Sequence, residues 1–227
     1  MKRRTWLLSA LGATGALIVG WGALPQRSRM GKPSLLALEQ GEVACNGWIK
    51  IAADGSVVMA MPRAEMGQGV HTALPMLVAE ELDIPLSQVR IEQAGADSIY
   101  GNVSMMLADV SGHPMASEGP DGMPYTVRLK RHLMGKVARE LGINATGGSS
   151  SVADAWGPVR LAAATVRASL LGAAAAQWKL PVAELTIQGG KVMHASGKSA
   201  TLAELASAAA QHSPSEVTLK PRASWKL

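Results

Sequence analysis

The sequence predicts an α+β fold, on three observations. Strand-patterned and helix-patterned stretches are mixed without regular βαβ alternation. Two short hairpins are written around Asp54-Gly55 and Gly189-Gly190, each flanked by alternating or β-rich runs. Two polar, glycine-rich turns, Glu65-Met66-Gly67-Gln68-Gly69 and Thr146-Gly147-Gly148-Ser149-Ser150-Ser151, each run straight into an apolar stretch of helical period. At 227 residues the chain is long enough for one large domain or two small ones with a real core.

The first 24 residues read as a separate element. Lys2, Arg3 and Arg4 precede an uncharged apolar stretch from Trp6 to Leu24, the positive and apolar regions of an export signal. The adjacent arginines, followed by Trp6, Leu7 and Leu8, resemble the twin-arginine type. Ala23-Leu24-Pro25 is a poor small-x-small cleavage site, and the stretch is about long enough to span a bilayer, so it is either a removed signal or a retained anchor. The polar residues 25–43, with Gly31, Lys32, Pro33 and Gly41, read as a linker, and residues 44–227 as an α+β region.

Within that region, residues 48–52 and 57–61 are the arms of the first hairpin. From Val70 to Leu82 an apolar face recurs at helical spacing, with Pro75 in the early turns and Asp83 and Pro85 after the end. Residues 89–92 alternate as a strand, whereas 94–122 are rich in Gly, Asp, Ser and Met with weak periodicity and read as a long loop. Tyr125 to Leu141 is an amphipathic helix closed by Gly142. Residues 152–178 form a second, strongly apolar helix, its start broken or bent at Gly157-Pro158. The hairpin 185–193 and a short helix from Thr201 to Gln211, with Thr201 and Glu204 at capping-box spacing, complete the region. The last residues, from Leu219, read as the start of another segment, so the chain is a fragment of a larger protein or an early-terminated copy.

Composition narrows the function. The net charge is +5, but the basic residues Arg128, Lys130, Arg131, Lys136 and Arg139 are interleaved with leucine and valine, not with stacking aromatics, which speaks against nucleic acid. The single cysteine, Cys45, cannot form an intramolecular disulfide and alone cannot hold an iron–sulfur cluster. No Walker lysine follows either glycine turn. A helix start carries free N–H groups and a partial positive charge, so two of them suit a ligand with several phosphate-like groups. Glu65 reads as a surface or supporting acid, His71 as a polar helix-start residue and Asp154 as a first-turn helix acid.

Met66-Gly67-Gln68-Gly69-Val70-His71-Thr72 with Val78-Ala79-Glu80-Glu81-Leu82, and Gly147-Gly148-Ser149-Ser150-Ser151 with Val152-Ala153-Asp154, resemble the molybdenum hydroxylases of the xanthine dehydrogenase and aldehyde oxidase family. Within it the pattern is similar to the large subunits of the isoquinoline 1-oxidoreductase and membrane-associated aldehyde dehydrogenase branch. The resemblance implies a molybdenum–molybdopterin cofactor, in its cytosine dinucleotide form. Gly67, Gln68 and Gly69 would meet it near the metal or pterin, and Thr146, Gly147, Gly148, Ser149, Ser150 and Ser151 would bind pterin and phosphate. It further implies an iron–sulfur small subunit, a C-terminal remainder of the large subunit, a membrane cytochrome as acceptor, a periplasmic or inner-membrane location, and the hydroxylation of N-heterocycles or oxidation of aldehydes. The family's catalytic base, a glutamate in a Gly-x-Gly-Glu setting, has no counterpart here, so no catalytic residue and no metal ligand is assigned. The competing expectation is a truncated, non-catalytic remnant or cofactor-binding module.

Overall fold

The computed structural model of the chain describes residues 14–17, 20–111 and 123–226. A four-stranded sheet, in order β1 (Val43–Ala44), β2 (Ile49–Ile51), β3 (Val57–Met61) and β4 (Val89–Gln93), carries the N-terminal half. β1, β2 and β3 are antiparallel, with Ile49 opposite Met59 and Ile51 opposite Val57. The turn between β2 and β3 is the one expected: Asp54 Oδ1 accepts from the N–H and hydroxyl of Ser56, and Gly55 takes the left-handed φ of 84°.

β3 and β4 are parallel, joined by α1 (Val70–Leu82), so the mixed sheet contains one βαβ unit. Pro75 lies inside α1 without ending it. α1 buries Val70, Leu74, Leu77, Val78 and Leu82, each contributing about 1.5–3 kcal/mol of transfer free energy.

Residues 94–122, expected as a loop, hold more structure. Asp97 caps a 3-10 turn at Ser98–Tyr100, and α2 runs over Val103–Ser111, its first turn secured by Asn102 Oδ1 accepting from the Met105 N–H. A nine-residue helix spans too few turns for its period to stand out in sequence. Residues 112–122 of that stretch lie outside the described ones.

α3 (Tyr125–Leu141) closes at Gly142, φ 59°. α4 (Ser151–Trp178) is continuous, so of the break or bend expected at Gly157-Pro158 the break does not occur. A proline has no N–H, which frees the carbonyl four residues back, that of Asp154. Here Arg29 Nη1 donates to that carbonyl at 3.2 Å. α4 is long and apolar enough to cross a membrane by length and composition, but 67% of its most apolar window is buried inside the fold. Its alanine-rich face, including Ala162, Ala163 and Ala174, lets α1 and α5 (Leu202–Gln211) pack close. A second antiparallel sheet, β5 (Leu185–Gln188), β6 (Lys191–His194) and β7 (Ser199–Thr201), precedes α5, whose capping box between Thr201 and Glu204 forms as the spacing indicates.

Two further expectations change. The linker 25–43 is part of the domain. The Trp48 indole donates to Arg29 O, Met30 O accepts from Gly47 N, and Leu35 and Leu36 pack on the core. The same segment covers the second face of the sheet, where the buried Lys50 ammonium donates to Ala37 O and pairs with Glu42 and Glu92. This explains why every residue of β2 and β3 is buried rather than alternate ones. The C-terminal residues also pack back on the fold. Lys220 N donates to the buried Glu81, Lys226 N donates to Glu80, and the Trp225 ring lies 5.6 Å from that of Trp156. Of the expected signal element, Leu17 is exposed, but residues 21–24 dock on α3. The Lys136 ammonium reaches the Trp21 and Leu24 carbonyls and sits 4.7 Å over the Trp21 ring. Arg3, Arg4 and Leu11 lie outside the described residues.

Candidate functional site

The two glycine turns come together. β3 leaves the sheet through Pro62, Arg63 and Ala64, and the Ala64 N–H donates to the Thr146 hydroxyl at 2.9 Å. Chain segments 82 residues apart thereby place one helix start beside another.

The start of α1 is already filled. The Glu65 carboxylate accepts from Gly67 N and Gly69 N through one oxygen and from His71 N through the other, all at 2.9 Å. The amides of His71 and Gly69 hold its pKa below the usual carboxylate value. Gln68 is folded onto its own turn: its Oε1 accepts from Met66 N at 2.5 Å and its Nε2 donates to Ala64 O at 2.8 Å. Gly67 and Gly69 have φ of 89° and 79°, and a Cβ on either would meet nothing within 4 Å. Glycine is therefore required here by backbone conformation, and the space before the turn is open. His71 Nε2 bonds Arg63 O at 2.8 Å.

The start of α4 is open. Gly148 and Ser149 both adopt left-handed conformations, φ 59° and 51°. The turn then closes on itself, with Ser150 Oγ donating to Gly147 O and accepting from Asn102 Nδ2. No side chain caps the helix. Gly148 and Ser149 are exposed, and Ser150 and Ser151 are buried. Met105 flanks the two glycines.

Behind both turns lies a buried charge cluster that sequence reasoning missed. Arg63 is fully buried. Its Nη1 donates to Tyr100 O at 2.7 Å and Asn144 Oδ1 at 2.8 Å, and its Nη2 to Asp154 Oδ2 at 2.7 Å. Arg29 Nη2 donates to the same Asp154 oxygen at 2.8 Å, and the other oxygen accepts from Ser104 N. Asp154, expected as a plain first-turn acid, is thus the counter-charge of two arginines. Burial lowers the Arg63 pKa, and the Asp154 carboxylate opposes that shift. No local pattern could have revealed the pair, because 91 residues separate its members. A signal for the Glu65 cap did exist: an acid immediately before a glycine turn that opens a helix.

The remaining chemistry is sparse. Cys45 is half-buried and free, and burial pushes its thiol up to about 12, which disfavours the nucleophilic thiolate. A cleft of about 150 Å³ is lined by Trp21, Pro25, Lys136 and Arg139, and by none of the turn residues. Among the described residues no group of three or more His, Cys, Asp or Glu side chains could hold a metal ion. The exposed Gly148 and Ser149 before a helix with no side-chain cap, together with the uncrowded glycine backbone at 67–69, fit an anionic group. No second anion site is offered at α1, where Glu65 occupies the amides.

Residues 9–109 and 126–227 match the family model described as molybdopterin cofactor-binding domain. The chain is 33% identical over 210 residues to the beta subunit of isoquinoline 1-oxidoreductase from Brevundimonas diminuta, covering 90% of this chain and 22% of that protein. It is 27% identical over 195 residues to a nicotinate dehydrogenase subunit of Pseudomonas putida, covering 86% of this chain and 13% of that one. Over 102 residues it is 33% identical to a membrane-bound aldehyde dehydrogenase of Gluconacetobacter polyoxogenes, covering 44% of this chain and 13% of that one. The chain therefore spans less than a quarter of the length of each of these relatives.

Proposed function

This chain belongs to the molybdopterin cofactor-binding domain family, and from that premise we propose that it is the cofactor-holding part of the large subunit of a molybdenum hydroxylase acting on N-heterocycles of the isoquinoline kind or on aldehydes. The observation that carries the reading is the meeting of the 67–69 turn with the open start of α4 through the Ala64–Thr146 hydrogen bond. Both segments lie in the matched residues.

In this reading the turn Thr146, Gly147, Gly148, Ser149, Ser150 and Ser151 holds the pterin and its phosphates through its exposed part at Gly148 and Ser149, with the Ser150 hydroxyl bracing the turn from within and the α4 dipole adding attraction for the negative charge. Gly67 and Gly69 let backbone approach the group closely, and Gln68 would meet it by exchanging its bonds to Met66 N and Ala64 O for bonds to the group. Bound there, the cofactor would supply a two-electron oxidation. The chain's own part is to bind and orient the cofactor. Glu65 spends both carboxylate oxygens on backbone amides and is not a base. Proton removal from substrate falls to a glutamate outside this sequence, which contains no Gly-x-Gly-Glu segment.

The proposal extends to the cytosine dinucleotide form of the cofactor, to an iron–sulfur small subunit, to the remainder of the large subunit and to a membrane cytochrome acceptor. It also extends to twin-arginine export to the periplasm, where the apolar run to Leu24 serves as signal or anchor. Replacing Arg3 and Arg4 by Lys tests the export: processing and periplasmic recovery should stop, and undiminished export would refute it.

The test of function is purification of the 227-residue chain from cells that make molybdopterin, with assays of pterin, molybdenum and turnover of isoquinoline-type heterocycles and aldehydes with an artificial acceptor. Pterin should co-purify, and turnover should appear only with the remainder of the large subunit and the iron–sulfur partner present. A chain free of pterin would overturn the reading in favour of a remnant.

A further inference from the structure

The 67–69 and 146–151 turns meet through a single direct hydrogen bond, yet one buried side chain reaches every element that sets their spacing. Arg63 precedes Ala64 on the strand exit. Its own carbonyl bonds His71, in the first turn of α1. Its guanidinium bonds Asn144, two residues before Thr146, and Asp154, in the first turn of α4. It also bonds the Tyr100 carbonyl, just ahead of Asn102, which holds Ser150. The planar fork therefore spans both ends of the second turn from the base of the first.

We propose that Arg63 is the positioning residue of the cofactor grip, setting the separation of the two turns by bridging Asn144 and Asp154. The inference rests on the function proposed above. It goes beyond that function in assigning the grip's geometry to a side chain that touches neither turn's open face.

Two physical features favour a positioning role over simple stabilisation. First, an Arg–Asp pair alone would need one end of the fork. Here Nη1 and Nη2 are directed to different elements, a task for which lysine, a single point charge, is no substitute. Second, the buried Arg63 and the half-buried Arg29 face one carboxylate, which leaves an excess positive charge, mostly shielded from water, behind the α4 helix start. Such a charge is little screened by solvent.

Asn144 is exposed, and Asn144→Ala cuts only the tie to the approach of α4, leaving the Asp154 pair intact. It is the variant expected to fold normally. The experiment uses the full chain made in molybdopterin-producing cells as wild type, Asn144→Ala, Asn144→Asp and Arg63→Lys. It measures hydrogen exchange at the Ala64 amide and the first turn of α4, and pterin fluorescence after oxidative release. Asn144→Ala should keep the wild-type melting profile, speed exchange at Ala64 and at 151–153, and retain about tenfold less pterin, the usual scale for loss of a supporting hydrogen bond. Asn144→Asp, which keeps an acceptor for the guanidinium, should restore both readouts. Arg63→Lys should not. Wild-type pterin retention in Asn144→Ala, or unchanged exchange at Ala64, would overturn the positioning role while leaving the proposed function standing. Rescue by Arg63→Lys would overturn it as well. A wild-type chain without pterin would overturn the proposed function, and the positioning role with it.

Discussion

The two helix starts beside each other in this molecule differ in one respect: α1 is capped by its own chain and α4 is not. At α1, three amides converge on the Glu65 carboxylate, and the helix needs no ligand. At α4, the serines and glycines fold onto one another and onto Asn102, and no side chain hydrogen-bonds the helix end. Similar sequence signals, a glycine-rich polar turn before an apolar helix, thus produce a closed end and an open one. Anion affinity is set by which donors remain unsatisfied after folding, not by the presence of a glycine turn.

The largest effect on this arrangement should come from Asp154→Ala. It leaves the buried Arg63 and the half-buried Arg29 without their counter-charge, and should cost about 3–5 kcal/mol, read by urea unfolding; a loss below about 1 kcal/mol would show that water reaches the cluster. Ser150→Ala should cost about 1–3 kcal/mol, because the buried Asn102 amide loses an acceptor. The same measurement should show Ser150→Thr closer to wild type. Thr146→Val removes the acceptor for Ala64 N–H and should cost about 1 kcal/mol, with Thr146→Ser near wild type; equal stability of Val and Ser variants would mean the two turns do not depend on that bond.

The smallest effect concerns the closed end. The folded-state pKa of Glu65 is lowered from its ordinary value of 4.5. Its contribution to stability is therefore fully present above that value and is lost as the pH falls through the lower, folded-state pKa. Glu65→Gln should flatten the acid side of the melting-temperature profile and leave the slope above neutrality unchanged. The same variant should open a second anion site, so that phosphate protects it more than wild type; equal protection would mean that α1 stays closed without the carboxylate.

Much of the secondary structure was legible because its causes are local. The bounds of α1, the closure of α3 at Gly142, both hairpins and the Thr201–Glu204 capping box follow from period, turn chemistry and caps within a few residues. The helix α2 was missed because nine residues give too weak a period. The proline at 158 looked like a break because its remedy, Arg29 on the freed Asp154 carbonyl, lies 125 residues away.

What the sequence determined by itself was the mixed α and β architecture, the place of the two glycine turns and the family resemblance they carry. Only the tertiary structure decided that the turns touch, that Glu65 closes one of them, that residues 25–43 cover the sheet, and that Arg63, Arg29 and Asp154 form the buried support. The reason is physical. Helix and turn propensities act between near neighbours, whereas desolvated charges choose partners by proximity in space. A buried guanidinium must find acceptors wherever the fold supplies them.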